Sequence, residues 1–261
     1  FYPLNPIQHN SFYNYVCKYY IDGFELDSQK ALLINSDKIP LVNGKNRKQI
    51  FPDHRIDLTL RFRDATSKVE EEQQESILLI DQWCAEYENK IRSMGGIGFF
   101  LGGIGPDGHI AFNVRGSDHN STTRLTGTNF ETQAAAATDL GGIEISRNRL
   151  VITIGLGTIT YNPDATGIII AAGEAKSKII KNSLEHAPDV KYPATALAKL
   201  KKSCFYITNG AGKLLADFER DYWENSEWND QKLQRSILEL SRNINVFGKK
   251  LSLDNLQNDE H

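Results

Sequence analysis

Hydrophobic and polar positions alternate along this chain with two different periods, and each period marks a different kind of element. The clearest helical stretch starts after Ser67, where Ile77, Ile80, Cys84, Tyr87, Ile91 and Met94 recur at threes and fours. Ser67 followed by Glu70 forms a capping box at its start, and Gly95-Gly96 stops it. That stripe reads as a core face. A second, shorter helix is predicted over 11–21, where aromatic residues and Val16 have helical spacing. Five short apolar runs read as strands: Ala31–Asn35, Ile97–Leu101, Leu150–Ile154, Ile168–Ala172 and, as the last, Cys204–Thr208. Ile97–Leu101 reads as a buried central strand, because it follows a long helix and is closed by glycines 102, 103 and 105. Ile56, Leu58, Leu60 and Phe62 alternate with polar residues, which predicts a half-exposed strand. Gly173 opens a helix over EAKSKIIKNSLE, and helical patterning returns from about 211 to 245, with a break near Trp223 and Trp228. The last residues, LDNLQNDEH, read as a frayed tail or linker.

Strands and helices that alternate in this way argue for an α/β domain, and in a parallel sheet ligands bind beyond the carboxyl ends of the strands. The loop after Ile97–Leu101 is therefore the place to look for chemistry. It carries Asp107 and His109, two residues apart between glycines, so their side chains can converge on one ligand. An imidazole with an unperturbed pKa near ~6.5 can take or return a proton near neutral pH. The carboxylate can orient the ring or hold a hydroxyl. Gly103, Gly105 and Gly108 also satisfy the G-x-G-x-x-G spacing of dinucleotide sites. That fingerprint must open a helix of several turns, and Gly116-Ser117-Asp118 leaves no room for one, so a nicotinamide or flavin cofactor is not expected.

GGIGPDGHIAFN closely resembles the signature of the glucosamine-6-phosphate deaminases, and STTRL, GLGTI and GEAK follow in the family's order. The resemblance is strong from about 91 to 210. The 6-phosphogluconolactonases share the G-x-D-G-H core, but Ile110–Asn113 favour the deaminase side. The resemblance implies a doubly wound, mainly parallel sheet over 1–210, with 211–261 as a helical extension packed on the same domain. It implies conversion of glucosamine 6-phosphate to fructose 6-phosphate and ammonia, without a cofactor or metal. His109, aided by Asp107, would open the sugar ring. Lys176 and the backbone N–H groups around Gly103 and Gly105 would hold the phosphate and the open-chain oxygens. The base for the C2 proton, and the family's phosphate loop, would lie upstream of Phe1, so the sequence reads as lacking its amino-terminal portion. The 128–149 segment, rich in alanine and then glycine, would act as a mobile lid.

Three positions depart from the family. Val114 stands where the motif continues with a glutamate that supports the histidine. Thr138 stands where a lid arginine meets the phosphate, with Arg147 and Arg149 as its nearest substitutes. Thr126 replaces the lysine that pairs with Arg124 in allosteric members. Val114 and Thr138 keep a non-catalytic sugar-phosphate-binding module in play, and a lactonase-type hydrolase on the same scaffold is the other alternative. The 36–64 segment is longer than the family needs and reads as an insertion, a surface flap or a subunit contact.

Bulk properties narrow the rest. In 261 residues, 33 acidic and 30 basic side chains leave a net charge of −3, which gives no case for nucleic acid or a membrane surface. No run of about 18 apolar residues exists; the resemblance implies a small phosphorylated amino sugar as partner, with a homo-oligomer left open. Cys17, Cys84 and Cys204 lack C-x-x-C spacing, which suits reduced, buried thiols in a cytoplasmic protein. His119 beside Asp118 has no second ligand at metal spacing.

Overall fold

The computed structural model describes residues 2–140, 142–215 and 222–243. They fall in two compact units, 1–214 and 215–261. The first holds a mainly parallel sheet with flanking helices. Its longest helix, Lys68–Ser93, starts where Ser67 Oγ accepts the Glu70 N–H at 3.2 Å. The Glu70 carboxylate meets the Thr66 N–H at 2.8 Å and Arg63, so the box closes through the residues before the cap. Ile77, Ile80, Cys84 and Ile91 are buried as the stripe requires, Met94 at its end is instead 63% exposed, and Gly95 and Gly96 leave the helix at φ +91° and +82°. Burial pushes the Cys84 thiol up to about 12. Cys17 is half-buried and Cys204 exposed, so of the three thiols only Cys84 is a core group.

What covers that stripe is the 36–64 segment. Ile39, Val42, Ile50, Phe51 and Leu60 pack with Ile77, Ile80, Cys84 and Leu125 into one buried cluster. The expected surface flap is instead half of a core. Its backbone is a chain of short turns: 3₁₀ turns at Ser36–Lys38 and Val42–Gly44, a helical turn at Arg47–Ile50, and a 3₁₀ turn at Leu58–Arg61. The last overturns the expected strand over 56–62. The Asp57 carboxylate accepts the Thr59 N–H at 2.9 Å and winds the chain into a turn, which buries Leu60 and leaves Phe62 90% exposed. Ala31–Asn35 forms no strand either. It is extended at both ends, yet no ladder partner lies beside it among the described residues. The 11–21 helix is present as Phe12–Val16 continued by one π turn, Cys17–Ile21.

The strands are β1 (Phe99–Gly103), β2 (Arg124–Thr126), β3 (Val151–Thr153), β4 (Thr166–Ala171) and β5 (Lys202–Ile207). β1, β4 and β5 form a parallel sheet in that order, and β2 pairs antiparallel with β3. β1 is thus an edge strand among the described residues, not the buried centre its apolar run suggests, and it starts two residues later than that run. Phe99 and Leu101 are 58% and 54% exposed on the face they share with Ile170 and Tyr206. The helix after β4, Ser177–Glu185, buries Ile179 and Ile180.

The parallel register brings the carboxyl ends of β1, β4 and β5 to one edge. A hydrogen bond from the Gly173 N–H to Thr208 Oγ1, 3.1 Å, ties the loop after β4 to the end of β5. In the second unit, the Asp230–Asn243 helix carries Lys232, whose ammonium donates to the Trp223 and Ser226 carbonyls. Its ammonium also lies 4.7 Å from the Trp228 ring centroid. The tail expected after 243 lies outside the described residues. No described helix is long and apolar enough to cross a membrane.

Candidate active site

The chain leaves β1 through a loop closed on itself. The Gly105 N–H donates to the His109 carbonyl at 2.9 Å, and the Gly108 N–H donates to the Gly105 carbonyl at 3.1 Å. Gly108 sits at φ +87°, where a Cβ would also lie 2.9 Å from Ile179 Cδ1. Gly105 has a different reason to be glycine. A Cβ there would stand 2.0 Å from His109 Cε1, so the imidazole lies directly on the Gly105 backbone. The glycines that mimic a dinucleotide fingerprint therefore shape a seat for a histidine.

His109 Nδ1 lies 2.5 Å from Asp107 Oδ1. The other Asp107 oxygen accepts the Arg115 N–H at 3.1 Å and an Asn129 Nδ2 hydrogen at 2.5 Å. Asp107 is 1% exposed, and burial alone would push its carboxyl up. The bonds from His109, the Arg115 N–H and Asn129 outweigh that and hold it well below the usual carboxylate range. An ionised Asp107 fixes the proton on Nδ1 and leaves Nε2 as the imidazole nitrogen with a free lone pair. The carboxylate therefore orients the histidine; with both oxygens engaged by protein donors, it is not placed to hold a sugar hydroxyl. Phe112 stacks beside the imidazole, centroids 6.0 Å apart and planes at 26°.

His109, Gly103 and Gly105 line a cavity of about 750 Å³, with Phe12, Tyr13 and Phe112 among its other walls. Lys176 does not line it. It ends a 3₁₀ turn, Glu174–Lys176, at the start of the Ser177–Glu185 helix, and its Nζ donates to the Ile104 carbonyl at 2.7 Å. Burial lowers its pKa, and the nearby Asp107 charge works against that. The structure thus brings Asp107, His109, Gly103 and Gly105 together and sets Lys176 one residue away, behind Ile104.

Arg124 braces the same loop. It donates to Asn113 Oδ1 at 2.9 Å and to the Thr122 carbonyl at 3.2 Å. Asn113 in turn donates to the carbonyls of Ile110 and Ile154. The two threonine motifs have a shared partner that the sequence does not reveal. Thr123 and Thr158 both donate their hydroxyls to the buried Glu88 carboxylate, at 2.8 and 2.6 Å. Thr138 lies in the Phe130–Leu140 helix, Arg147 pairs with Glu144, and Arg149 donates to the His54 carbonyl. None of the three lines the cavity.

No family model matches the chain. It is 34% identical over 150 residues to a glucosamine-6-phosphate deaminase of Borrelia garinii subsp. bavariensis, covering 54% of this chain and 55% of the relative. It is 39% identical over 136 residues to a glucosamine-6-phosphate isomerase of Candida albicans, covering 52% and 54%. The chain thus spans about half the length of the curated relatives it matches. A solved structure of a monomeric glucosamine-6-phosphate deaminase superposes with a TM-score of 0.58 at 22% identity, over 81% of this chain and 70% of the other. That likeness shows a shared α/β fold.

Proposed function

We propose that this chain, a divergent relative of the glucosamine-6-phosphate deaminases, binds a phosphorylated amino sugar in the His109 cavity and opens its ring. The reaction is aldose–ketose isomerisation with deamination, giving fructose 6-phosphate and ammonia from glucosamine 6-phosphate and water. One observation carries this reading: a buried, ionised Asp107 holds His109 Nδ1 at 2.5 Å in the loop beyond the carboxyl end of β1.

The imidazole's free Nε2 takes the proton of the anomeric hydroxyl and returns it to the ring oxygen, so ring opening consumes no net proton. Asp107 stabilises the imidazolium formed between those two transfers. The Gly103 and Gly105 backbone brings N–H groups close to the open-chain oxygens without side chains in the way. Lys176, released from the Ile104 carbonyl, supplies a cation for the phosphate at the start of the Ser177–Glu185 helix. The carbonyl at C1 and the amine at C2 are the substrate's own, so these steps call on no further electron sink. A base for the C2 proton is not identified among the described residues.

Val114 favours a second reading, binding without turnover, because a valine cannot accept a hydrogen bond from the site. Calorimetric titration with glucosamine 6-phosphate and with glucosamine tests the shared part of both readings. The phosphorylated sugar is expected to bind at least tenfold tighter, the scale of one bond to a charged group. Equal affinity for the two sugars would overturn the phosphate site.

A further inference from the structure

We propose that Asn129 is a positioning residue that ties the Asp107–His109 pair to the Phe130–Leu140 helix. Its amide faces two ways. Nδ2 donates to Asp107 Oδ2 at 2.5 Å, the oxygen turned away from His109. Oδ1 accepts the Thr132 N–H at 3.1 Å, and the Asn129 carbonyl accepts the Gln133 N–H at 2.9 Å, so Asn129 is the amino-terminal cap of that helix. The chemistry at each end fixes the orientation of the amide. A flipped side chain would set an oxygen against the carboxylate and an NH₂ against a backbone N–H, losing both bonds.

A third contact closes the ring. Thr132 Oγ1, one turn into the helix, lies 3.3 Å from His109 Nδ1. The first turn of the helix therefore touches both members of the pair, Asp107 through Asn129 and His109 through Thr132. When the helix is seated, the Asn129 donor holds the Asp107 carboxylate in the plane that receives His109, and stabilises its charge. When the helix swings away, Asp107 loses one of its three donors and His109 loses its threonine neighbour. Seating of the first turn of the Phe130–Leu140 helix and orientation of the proton carrier are thereby coupled. This deepens the proposed function and rests on His109 as its proton carrier.

Asn129→Asp and Asn129→Ser separate positioning from capping. Aspartate and serine both cap helices as well as asparagine or nearly so, while neither offers Asp107 an amide donor. Helix content is therefore expected to stay at the wild-type level in both, while stability falls modestly in Asn129→Ser and further in Asn129→Asp, which sets a second carboxylate against Asp107. Turnover is expected to fall about tenfold or more at unchanged KM, the scale of one charge-assisted bond. The acid limb of the pH–rate profile is expected to move up, further for Asn129→Asp, because extra negative charge beside the imidazole favours its protonated form. The same rise is read without substrate from the His109 imidazole resonance, assigned by comparison with His109→Gln. That measurement stands even if the protein turns over no sugar. Wild-type titration of the imidazole in both variants would overturn the proposal, as would a loss of stability with an unshifted titration, which is the mark of a cap alone.

Discussion

The His109 imidazole rests on the bare backbone of Gly105, so closely that a Cβ at that position would lie 2.0 to 2.3 Å from three ring atoms. A methyl group there requires the ring to move, and with it the Nδ1–Asp107 bond. Gly105→Ala is accordingly expected to displace the ring and to cost about 10²-fold in kcat, the scale of losing an acid–base group. Steady-state turnover checks it, with the melting temperature as control. A variant with full turnover would show that His109 works from another position.

Glu88 gives a prediction about pH. It is 5% exposed, and burial alone would raise its pKa; the bonds from Thr158, Arg92 and Thr123 outweigh that and lower it. A carboxylate with a depressed folded-state pKa adds stability above its unfolded pKa, and that increment is lost as pH falls through the folded value. Glu88→Gln is therefore expected to cost about 1–3 kcal/mol at pH 7. The difference from wild type should shrink toward zero in acid. Denaturant melts of both proteins from pH 7 down to pH 3 measure it, and a difference independent of pH would refute the charged role.

The 36–64 segment supplies a matched pair of phenylalanines. Phe51 is 1% exposed in the core against the Lys68–Ser93 helix, whereas Phe62 is 90% exposed. Phe51→Ala is expected to cost roughly 3–5 kcal/mol as a large core deletion, and Phe62→Ala no more than about 0.5 kcal/mol. Equal effects in urea unfolding would return the segment to the status of a surface flap.

Lys176→Met keeps the aliphatic stem and removes the ammonium. If Lys176 leaves the Ile104 carbonyl for a phosphate, affinity for glucosamine 6-phosphate should fall at least tenfold. Affinity for glucosamine should not move. Parallel loss for both sugars would assign Lys176 to holding Ile104 in place.

Much of this architecture is legible in the residue pattern, and the exceptions have physical causes. The Lys68–Ser93 helix announces itself through a long 3.6-residue period and a serine cap. β3, β4 and β5 fall within two residues of their apolar runs. The strand expected over 56–62 failed because Asp57 captures a backbone N–H, a local bond that period-2 counting does not see. β1 misled because an apolar run reports burial or exposure on a sheet face equally well; its rank in the sheet depends on which strands lie beside it. The core role of 36–64 was hidden because its apolar residues sit on short turns with no fixed period.

At the site, Asp107, His109 and the glycines were legible because they share one short loop. Asn129, Thr132 and Glu88 were not, since Asp107 lies 22 residues from Asn129, His109 lies 23 from Thr132, and Thr123 and Thr158 lie 35 and 70 from Glu88. Asn129 caps the Phe130–Leu140 helix through bonds that are local in sequence. Its second bond exists only once the helix is folded against the Asp107 loop.

The central claim is that His109, set by Asp107, turns over an amino-sugar phosphate. Ammonia and fructose 6-phosphate are measured together after adding glucosamine 6-phosphate to the full-length protein and to its His109→Gln variant. The account predicts the two products in equal amounts from wild type, with the rate in His109→Gln lower by about 10²-fold or more. Wild type that binds the sugar phosphate yet releases no ammonia, or a variant that releases it at the wild-type rate, would contradict it.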